Sequence, residues 1–232
     1  MVEIKGFIRN TLLDWDGKIA SIIFLPGCNF RCPYCHASAL VKDGSALPAV
    51  SVAEVDSYLE KNRAWIDGVV ISGGEATFHN NLPVLVDHLR ERGLGVKLFT
   101  NGSRPAMLHR LVDAGKLSAI SMDVKGPLDE RYSIAAGTPV DLDAIRESIG
   151  MLKDSGIPYE FRTTVCPAVL KSDDVIDTAR DLSGAELFIL QQFRPVDCLD
   201  PEFERVKPYR DDELDRMAAL ASQYVKKCVV VK

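Results

Sequence analysis

Three cysteines on one short stretch are the residues of this chain with the clearest chemical potential. Cys28, Cys32 and Cys35 have the spacing Cys-x3-Cys-x2-Cys and directly follow an apolar run. Their sulfurs can reach one metal centre without distant parts of the chain having to meet. A four-iron cubane cluster normally takes four thiolates, so three would leave one iron open, as catalytic zinc sites keep a vacant position. The spacing therefore predicts a metal site with room for a small-molecule ligand.

Two other interpretations of the same residues stay open at this point. Cys28, Cys32, Cys35 and His36 form a Cys3His set, which is a known structural zinc site. Free cysteines are also often small buried apolar residues with no ligand role. The residues downstream of the motif favour the cluster.

The segment from Lys18 to His36, which joins the apolar run to the cysteine motif, resembles the corresponding segment of the radical S-adenosylmethionine (SAM) enzymes. More narrowly, it resembles the activating enzymes of glycyl-radical proteins. Activators of anaerobic ribonucleotide reductase are the most similar group, and pyruvate formate-lyase activators are near relatives. The resemblance implies a [4Fe-4S] cluster held by Cys28, Cys32 and Cys35, with SAM on the open iron.

The resemblance also implies a reaction and its partners. One electron from the reduced cluster cleaves SAM into methionine and a 5'-deoxyadenosyl radical, which removes hydrogen from a backbone glycine of a partner enzyme. The implied partner is an anaerobic ribonucleoside-triphosphate reductase, and a flavodoxin or ferredoxin is the kind of electron donor implied. A pyruvate formate-lyase-type partner is the first alternative. Others are a radical SAM enzyme acting on a small molecule such as a deazapurine precursor, and a noncatalytic zinc module.

Length and composition indicate the domain organisation, the class of partner and the cellular location of the protein. The 232 residues suit a single radical SAM domain over 1–232, with its core at about 18–193 and a C-terminal linker and helix at 194–232. The net charge of -5 with scattered basic residues argues against direct nucleic-acid binding. No signal peptide or membrane span is evident, so we expect a cytoplasmic protein. We expect Cys166, Cys198 and Cys228 to be inert thiols and the cluster to be single.

A repeated order of helix, glycine and apolar strand predicts the fold. Glycines at 68, 93, 115, 156 and 184 stand where left-handed residues would end helices. The pattern predicts a parallel sheet with right-handed crossovers. A full barrel needs eight such units, so we predict an α/β fold with a partial (β/α)6 TIM barrel of radical SAM type. The six predicted strands are 19–25, 69–72, 96–100, 119–124, 159–164 and 186–191.

Polar residues at the ends of these strands would share one edge of the sheet. Gly73, Gly74 and Glu75 follow the second strand, and the glycines would let backbone approach a ligand closely. Radical SAM enzymes carry the same triplet there, which implies contacts to the SAM ammonium.

The third and fourth strands end in Thr100-Asn101 and Asp123-Val124-Lys125. By resemblance these residues bind SAM, with Lys125 pairing with its carboxylate. Pyruvate formate-lyase activators carry an aspartate in place of Phe99, and that aspartate helps to hold a monovalent cation, so a cation site is in doubt.

Four further residues complete the predicted SAM site. Tyr34 occupies the aromatic position near the adenine in the family, and His36 adjoins the last cysteine. Arg162 lies within an apolar strand, where a charge is costly unless paired, so we expect it to meet an anion or to pair with Glu75 or Asp123. Gln191, at the end of the sixth strand, would reach ribose or adenine. We predict His79, His88 and His109 to be surface residues, and the long connection 126–141 to lie on the cluster side.

Overall fold

The computed structural model describes residues 2–232 and contains eight strands within that range. The helices are α1 (Ser38–Asp43), α2 (Val52–Lys61), α3 (Leu82–Glu91), α4 (Pro105–Asp113), α5 (Glu130–Ala136), α6 (Leu142–Asp154), α7 (Ser172–Asp181) and α8 (Asp211–Ala221). The strands are β1 (Gly6–Thr11), β2 (Ala20–Leu25), β3 (Gly68–Gly73), β4 (Gly95–Thr100), β5 (Ala119–Asp123), β6 (Tyr159–Val165), β7 (Phe188–Gln192) and β8 (Cys228–Val231). Short 3-10 turns occupy Gly44–Ala46, Ala76–Phe78 and Pro201–Arg205.

The sheet follows chain order from β1 to β8. The strands β2, β3 and β4 pair in parallel, as do β6, β7 and β8, whereas β1 runs antiparallel to β2. Helices alternate with the strands from β2 onward, which is the βαβ arrangement. The predicted α/β fold of partial (β/α)6 barrel type is confirmed, and each predicted strand is found within two residues of its expected ends.

The chain forms two compact units. The first comprises residues 2–29, 39–100 and 106–120, and the second comprises residues 30–38, 101–105 and 121–232. In the first unit, most residues of β2, β3 and β4 are apolar and buried, although β4 also carries the buried Lys97. Such strands are typical of a parallel sheet that is covered on both sides.

Four of the five glycines predicted to end helices have the expected left-handed backbone. The φ angles are 68° at Gly93, 62° at Gly115, 69° at Gly156 and 81° at Gly184. Gly68 is the exception, because it is the first residue of β3. A Cβ there would lie 2.5 Å from the Gly95 carbonyl oxygen and 2.7 Å from the Trp15 ring, so packing rather than φ requires glycine.

Helix boundaries differ more from the predictions than strand boundaries do. The sequence Ser51-Val52-Ala53-Glu54 predicts a capping box for a helix that reaches about Ile66. The Ser51 hydroxyl accepts from the Glu54 amide, but α2 ends at Lys61. The connection 126–141 contains the seven-residue helix α5, which the sequence pattern did not indicate. None of the helices within residues 2–232 has the length and apolar character needed to span a bilayer.

Leu98 on β4 tests the packing of the first unit. Its side chain is fully buried, whereas Leu13 in the turn after β1 is 94% exposed. We expect Leu98→Ala to lower the free energy of unfolding by about 2–5 kcal/mol through lost burial and the cavity left behind. Leu13→Ala should change it by less than about 0.5 kcal/mol. Urea denaturation followed by circular dichroism measures both, and equal losses would contradict the assigned core.

Candidate functional site

The three motif cysteines are distributed over both compact units. Cys28 belongs to the first unit and is partly exposed. Cys32, which is buried, and Cys35, which is partly exposed, belong to the second. All are free thiols, and the residues around each are described below within their own unit.

In the first unit, Gly73 at the end of β3 and Gly74 after it lie against the backbone that precedes Cys28. A Cβ on Gly73, whose φ is +134°, would be 2.1 Å from the Leu25 carbonyl oxygen. A Cβ on Gly74 would be 1.9 Å from the Gly27 carbonyl oxygen and 3.1 Å from the Cys28 Cβ. The Gly74 amide donates to the Leu25 carbonyl at 3.0 Å. These glycines thus let two backbone segments touch, a role that differs from the predicted close approach to a ligand.

Glu75, the third residue of this segment, is a buried carboxylate with several donors. Its amide donates to the Gly27 carbonyl at 2.8 Å. Its Oε1 atom accepts from the Thr77 amide at 3.0 Å, from the Thr77 hydroxyl, and from the Thr100 hydroxyl at 2.7 Å. A buried charge is tolerated when it is hydrogen-bonded in this way. The structure therefore brings together two predicted site residues, Glu75 and Thr100.

His79 and His88, which we predicted to be surface residues, are partly exposed and bond to other protein groups. The His79 side chain is partly buried, and its ring Nε2 donates to the carbonyl of Pro26 at 2.7 Å, two residues before Cys28. His88 is also partly buried and pairs with Asp56 at 2.9 Å. Neither contact could be inferred from the sequence, because the partners are 53 and 32 residues away.

In the second unit, the stretch 30–38 carries Cys32 and Cys35 and is bonded to the segment after β7. The Asp200 amide donates to the Pro33 carbonyl at 2.9 Å. His36 Nε2 donates to the Arg194 carbonyl at 2.6 Å, and its ring lies 6.2 Å from that of Phe193. His36 therefore has a protein partner that holds the cysteine stretch in place.

Lys125 and Asp123 form an ion pair in the second unit, with Nζ and Oδ2 3.0 Å apart. The Lys125 side chain is only 14% exposed. Burial opposes its charge, but Asp123 together with Cys32 and Tyr34 outweighs burial and raises the pKa of Lys125 well above its usual value. Lys125 is thus a cation at neutral pH, as its predicted role with a carboxylate requires.

Burial raises the pKa of the Cys32 thiol, and nearby Lys125 partly opposes that rise. Burial likewise raises the pKa of Cys35. A buried thiol stays protonated near neutral pH unless a metal ion displaces the proton. Among residues 2–232, no three His, Cys, Asp or Glu side chains have the arrangement of a single-ion site. A cubane offers a separate iron to each of its thiolates, so its cysteine sulfurs need not converge on one point.

The second unit contains a buried tyrosine hydroxyl, that of Tyr34, that could still form a hydrogen bond. Its ring is 4% exposed, and its hydroxyl has no hydrogen-bond partner within residues 2–232. Burial raises the pKa of Tyr34 well above its ordinary value. A buried hydroxyl without a partner costs free energy, so a ligand with a polar group near it would be stabilised. Within the second unit, this hydroxyl, the Lys125 cation and the Cys32 and Cys35 thiols fit the donor and charge requirements of a cluster with SAM.

The remaining predicted residues have protein partners. Arg162 Nη2 donates to Gln191 Oε1 at 2.8 Å, which brings two predicted site residues together across β6 and β7. This contact is with the neutral side-chain amide of Gln191. The Asn101 Oδ1 atom accepts from the amide of Ser103 at 3.0 Å and from its hydroxyl at 2.6 Å. Phe99, in the first unit, lies under the Lys97 ammonium, 5.2 Å from it.

The thiols outside the motif allow a pH test. Burial raises the pKa of Cys166 to about 11 and that of Cys228 to about 12. Only the thiolate reacts with iodoacetamide, so at pH 8 we expect both to label more than about 100-fold more slowly than in the urea-unfolded chain. Below its pKa, the rate at Cys228 should rise about tenfold with each pH unit. Peptide mass spectrometry reads both rates, and equal labelling of folded and unfolded chains would contradict the assignment.

Comparisons with known proteins agree with this geometry. A protein of Methanocaldococcus jannaschii, provisionally assigned as a glycyl-radical enzyme activating enzyme, is 28% identical over 232 residues, covering 98% of this chain and 95% of that one. The 7-carboxy-7-deazaguanine synthase of Aquifex aeolicus is 36% identical over 89 residues, covering 38% of each chain.

The fold is also found among solved structures. A domain of pyruvate-formate lyase-activating enzyme from Bacteroides vulgatus superposes with a TM-score of 0.58 at 14% identity, over 71% of this chain and 99% of that one. The family model described as the radical SAM superfamily matches residues 22–182. The chain therefore belongs to the radical SAM superfamily, whose members use a [4Fe-4S] cluster and SAM.

Proposed function

We propose that this protein is a radical SAM activase that generates a glycyl radical on a partner enzyme. The observation that carries the proposal is the near full-length similarity to the provisionally assigned activating enzyme of Methanocaldococcus jannaschii, which leaves almost none of either chain uncovered. When bound, the reduced cluster and SAM supply a 5'-deoxyadenosyl radical, and such cofactors carry the difficult chemistry while the protein orients them.

The chain's own residues have distinct roles in this proposal. Cys28, Cys32 and Cys35 hold the cluster, and Lys125 faces the carboxylate of SAM. The ion pair with Asp123 keeps Lys125 charged, and the unpartnered hydroxyl of Tyr34 offers a contact to the ligand. The remaining SAM contacts are proposed for His36, Gly73, Gly74, Glu75, Thr100, Asn101, Asp123, Arg162 and Gln191.

Glycine suits the proposed target because its α-carbon radical can flatten between the amide nitrogen and the carbonyl with no side chain in the way. The proposed partner is an anaerobic ribonucleoside-triphosphate reductase, with pyruvate formate-lyase-type enzymes as the next class. Flavodoxin or ferredoxin is the proposed class of electron donor.

A small-molecule substrate is the second candidate function. The observation in its favour is the 36% identity to the deazaguanine synthase, which exceeds the 28% identity to the activating enzyme. That similarity covers only 38% of this chain. The activase is preferred because its similarity extends through the second unit, where the predicted SAM residues Asn101, Asp123, Lys125, Arg162 and Gln191 lie.

Substituting the cysteines tests the cluster assignment. Each of Cys28→Ala, Cys32→Ala and Cys35→Ala removes one of three thiolates, so we expect iron and sulfide per chain to fall to less than about a tenth of wild type. Cys228→Ala, a cysteine outside the motif, should leave both unchanged. Iron and acid-labile sulfide are assayed after anaerobic purification. Full iron content in all three variants would refute the assignment.

The activase itself is tested by electron paramagnetic resonance. The anaerobic protein is mixed with SAM, dithionite and an anaerobic ribonucleoside-triphosphate reductase or a pyruvate formate-lyase. We expect a doublet signal from the glycyl radical that is absent without SAM and absent with Cys32→Ala. Formation of 5'-deoxyadenosine that depends on a deazapurine precursor, with no glycyl signal, would instead support the small-molecule function.

A further inference from the structure

Helix α5 lies in the connection between β5 and α6, within the second unit, and its last residues contact the cysteine stretch. The amide of Arg31 donates to the carbonyl of Ala136 at 2.9 Å. The bond therefore joins the end of a helix to the peptide that precedes Cys32.

Gly137, which ends α5, lets the helix end lie closer to the backbone of Arg31 than any residue with a side chain would. Gly137 has a φ of +66°, and a Cβ on it would be 2.1 Å from the Arg31 carbonyl oxygen and 3.3 Å from the Cys32 nitrogen. These neighbours are backbone atoms, which cannot swing away as a flexible side chain can. Gly156, in the same unit, has nearly the same φ of +69° but nothing within 4 Å of its Cβ position. Contact, rather than backbone conformation, is what distinguishes Gly137.

The other end of α5 is held by charge. Arg131 pairs with Asp129 at the start of the helix, and also with Asp174 at 2.6 Å and Asp177 at 3.0 Å, both on α7. Asp174 is the least exposed of these carboxylates, at 13%. One guanidinium thus fixes the short helix to a longer one, which defines where its other end, Gly137, can lie.

The middle of α5 adds a buried side chain near the same cysteine. Tyr132 is fully buried. Burial raises its pKa, and nearby Lys125 partly opposes that rise. The end of the helix adjoins the Cys32 stretch through the bond between Arg31 and Ala136.

We propose that α5 is a positioning element for the cluster: its end at Gly137 fixes the Arg31–Cys32 peptide, and through it the direction of the Cys32 sulfur. Gly137 and Arg131 are positioning residues that act through Cys32. The proposal rests on the proposed function only in taking Cys32 as a cluster ligand.

The first test compares Gly137→Ala with Gly156→Ala, which carry the same cost of a side chain at positive φ. We expect Gly137→Ala to lose its cluster to an iron chelator at least about tenfold faster than wild type. The reduced-cluster resonance spectrum should also change in g values. Gly156→Ala should match the wild type in both measurements while losing some thermal stability.

The second test remains informative if Gly137→Ala does not fold. Arg131→Gln releases the anchored end of α5, and Arg205→Gln removes an exposed ion pair of the same unit, with Glu202. We expect faster cluster loss and a changed spectrum in Arg131→Gln alone.

A folded Gly137→Ala with wild-type cluster retention and spectrum would overturn the proposal. If Gly137→Ala cannot be obtained folded, a wild-type spectrum and retention in Arg131→Gln would overturn it. Absence of a cluster from the wild-type protein is a different result, which would reject the proposed function instead.

Discussion

The close approach of backbone to backbone around the cysteine motif is the constraint on which the described site depends. On the side of Cys28, Gly73 and Gly74 touch the residues that lead into the motif, and on the side of Cys32, Gly137 touches Arg31. At each of these positions a Cβ would fall within about 2 Å of a carbonyl oxygen, so only glycine fits. The cysteines are thus held by main-chain contacts, which leave their side chains available to a metal.

Buried charge is the second requirement, and the chain meets it differently in its two units. In the first unit, the carboxylate of Glu75 is surrounded by neutral donors from two threonines. In the second, the ammonium of Lys125 is paired with Asp123. The paired Lys125 cation remains able to meet a second anion.

The strands and the cysteine motif could be predicted from the sequence because their signals are local. Most of the six predicted strands are apolar runs that follow a glycine, whereas β6 alternates between buried and partly exposed residues. The cysteine spacing spans only eight residues, so its interpretation requires no knowledge of the fold. Lys125 was placed by resemblance, and its ion pair with a residue two positions away agrees with a functional cation.

The contacts that support the motif could not be predicted, because their partners are distant in sequence. Gly137 lies more than 100 residues after Arg31, and nothing in the sequence around it predicts the backbone contact that Gly156 lacks. Helix α5 has only seven residues, and its buried positions Tyr132, Ala135 and Ala136 are too few to form a periodic apolar stripe. The sequence predicts a role for Gly73 and Gly74, but their contacts with Leu25 and Gly27 depend on the pairing of β2 with β3.

The hydrogen bonds of the cysteine stretch bear on how iron is acquired. The Glu75 amide bonds to the carbonyl of Gly27, just before Cys28. The Arg31 amide bonds to the carbonyl of Ala136, and the Asp200 amide bonds to the carbonyl of Pro33. The main chain of the stretch is therefore ordered by folding of the polypeptide, and the conformational entropy of the loop is lost at that stage rather than during metallation. An assembly scaffold that delivers a preformed cluster would meet a receptor that is already shaped, and transfer would reduce to exchange of thiolates between donor and recipient.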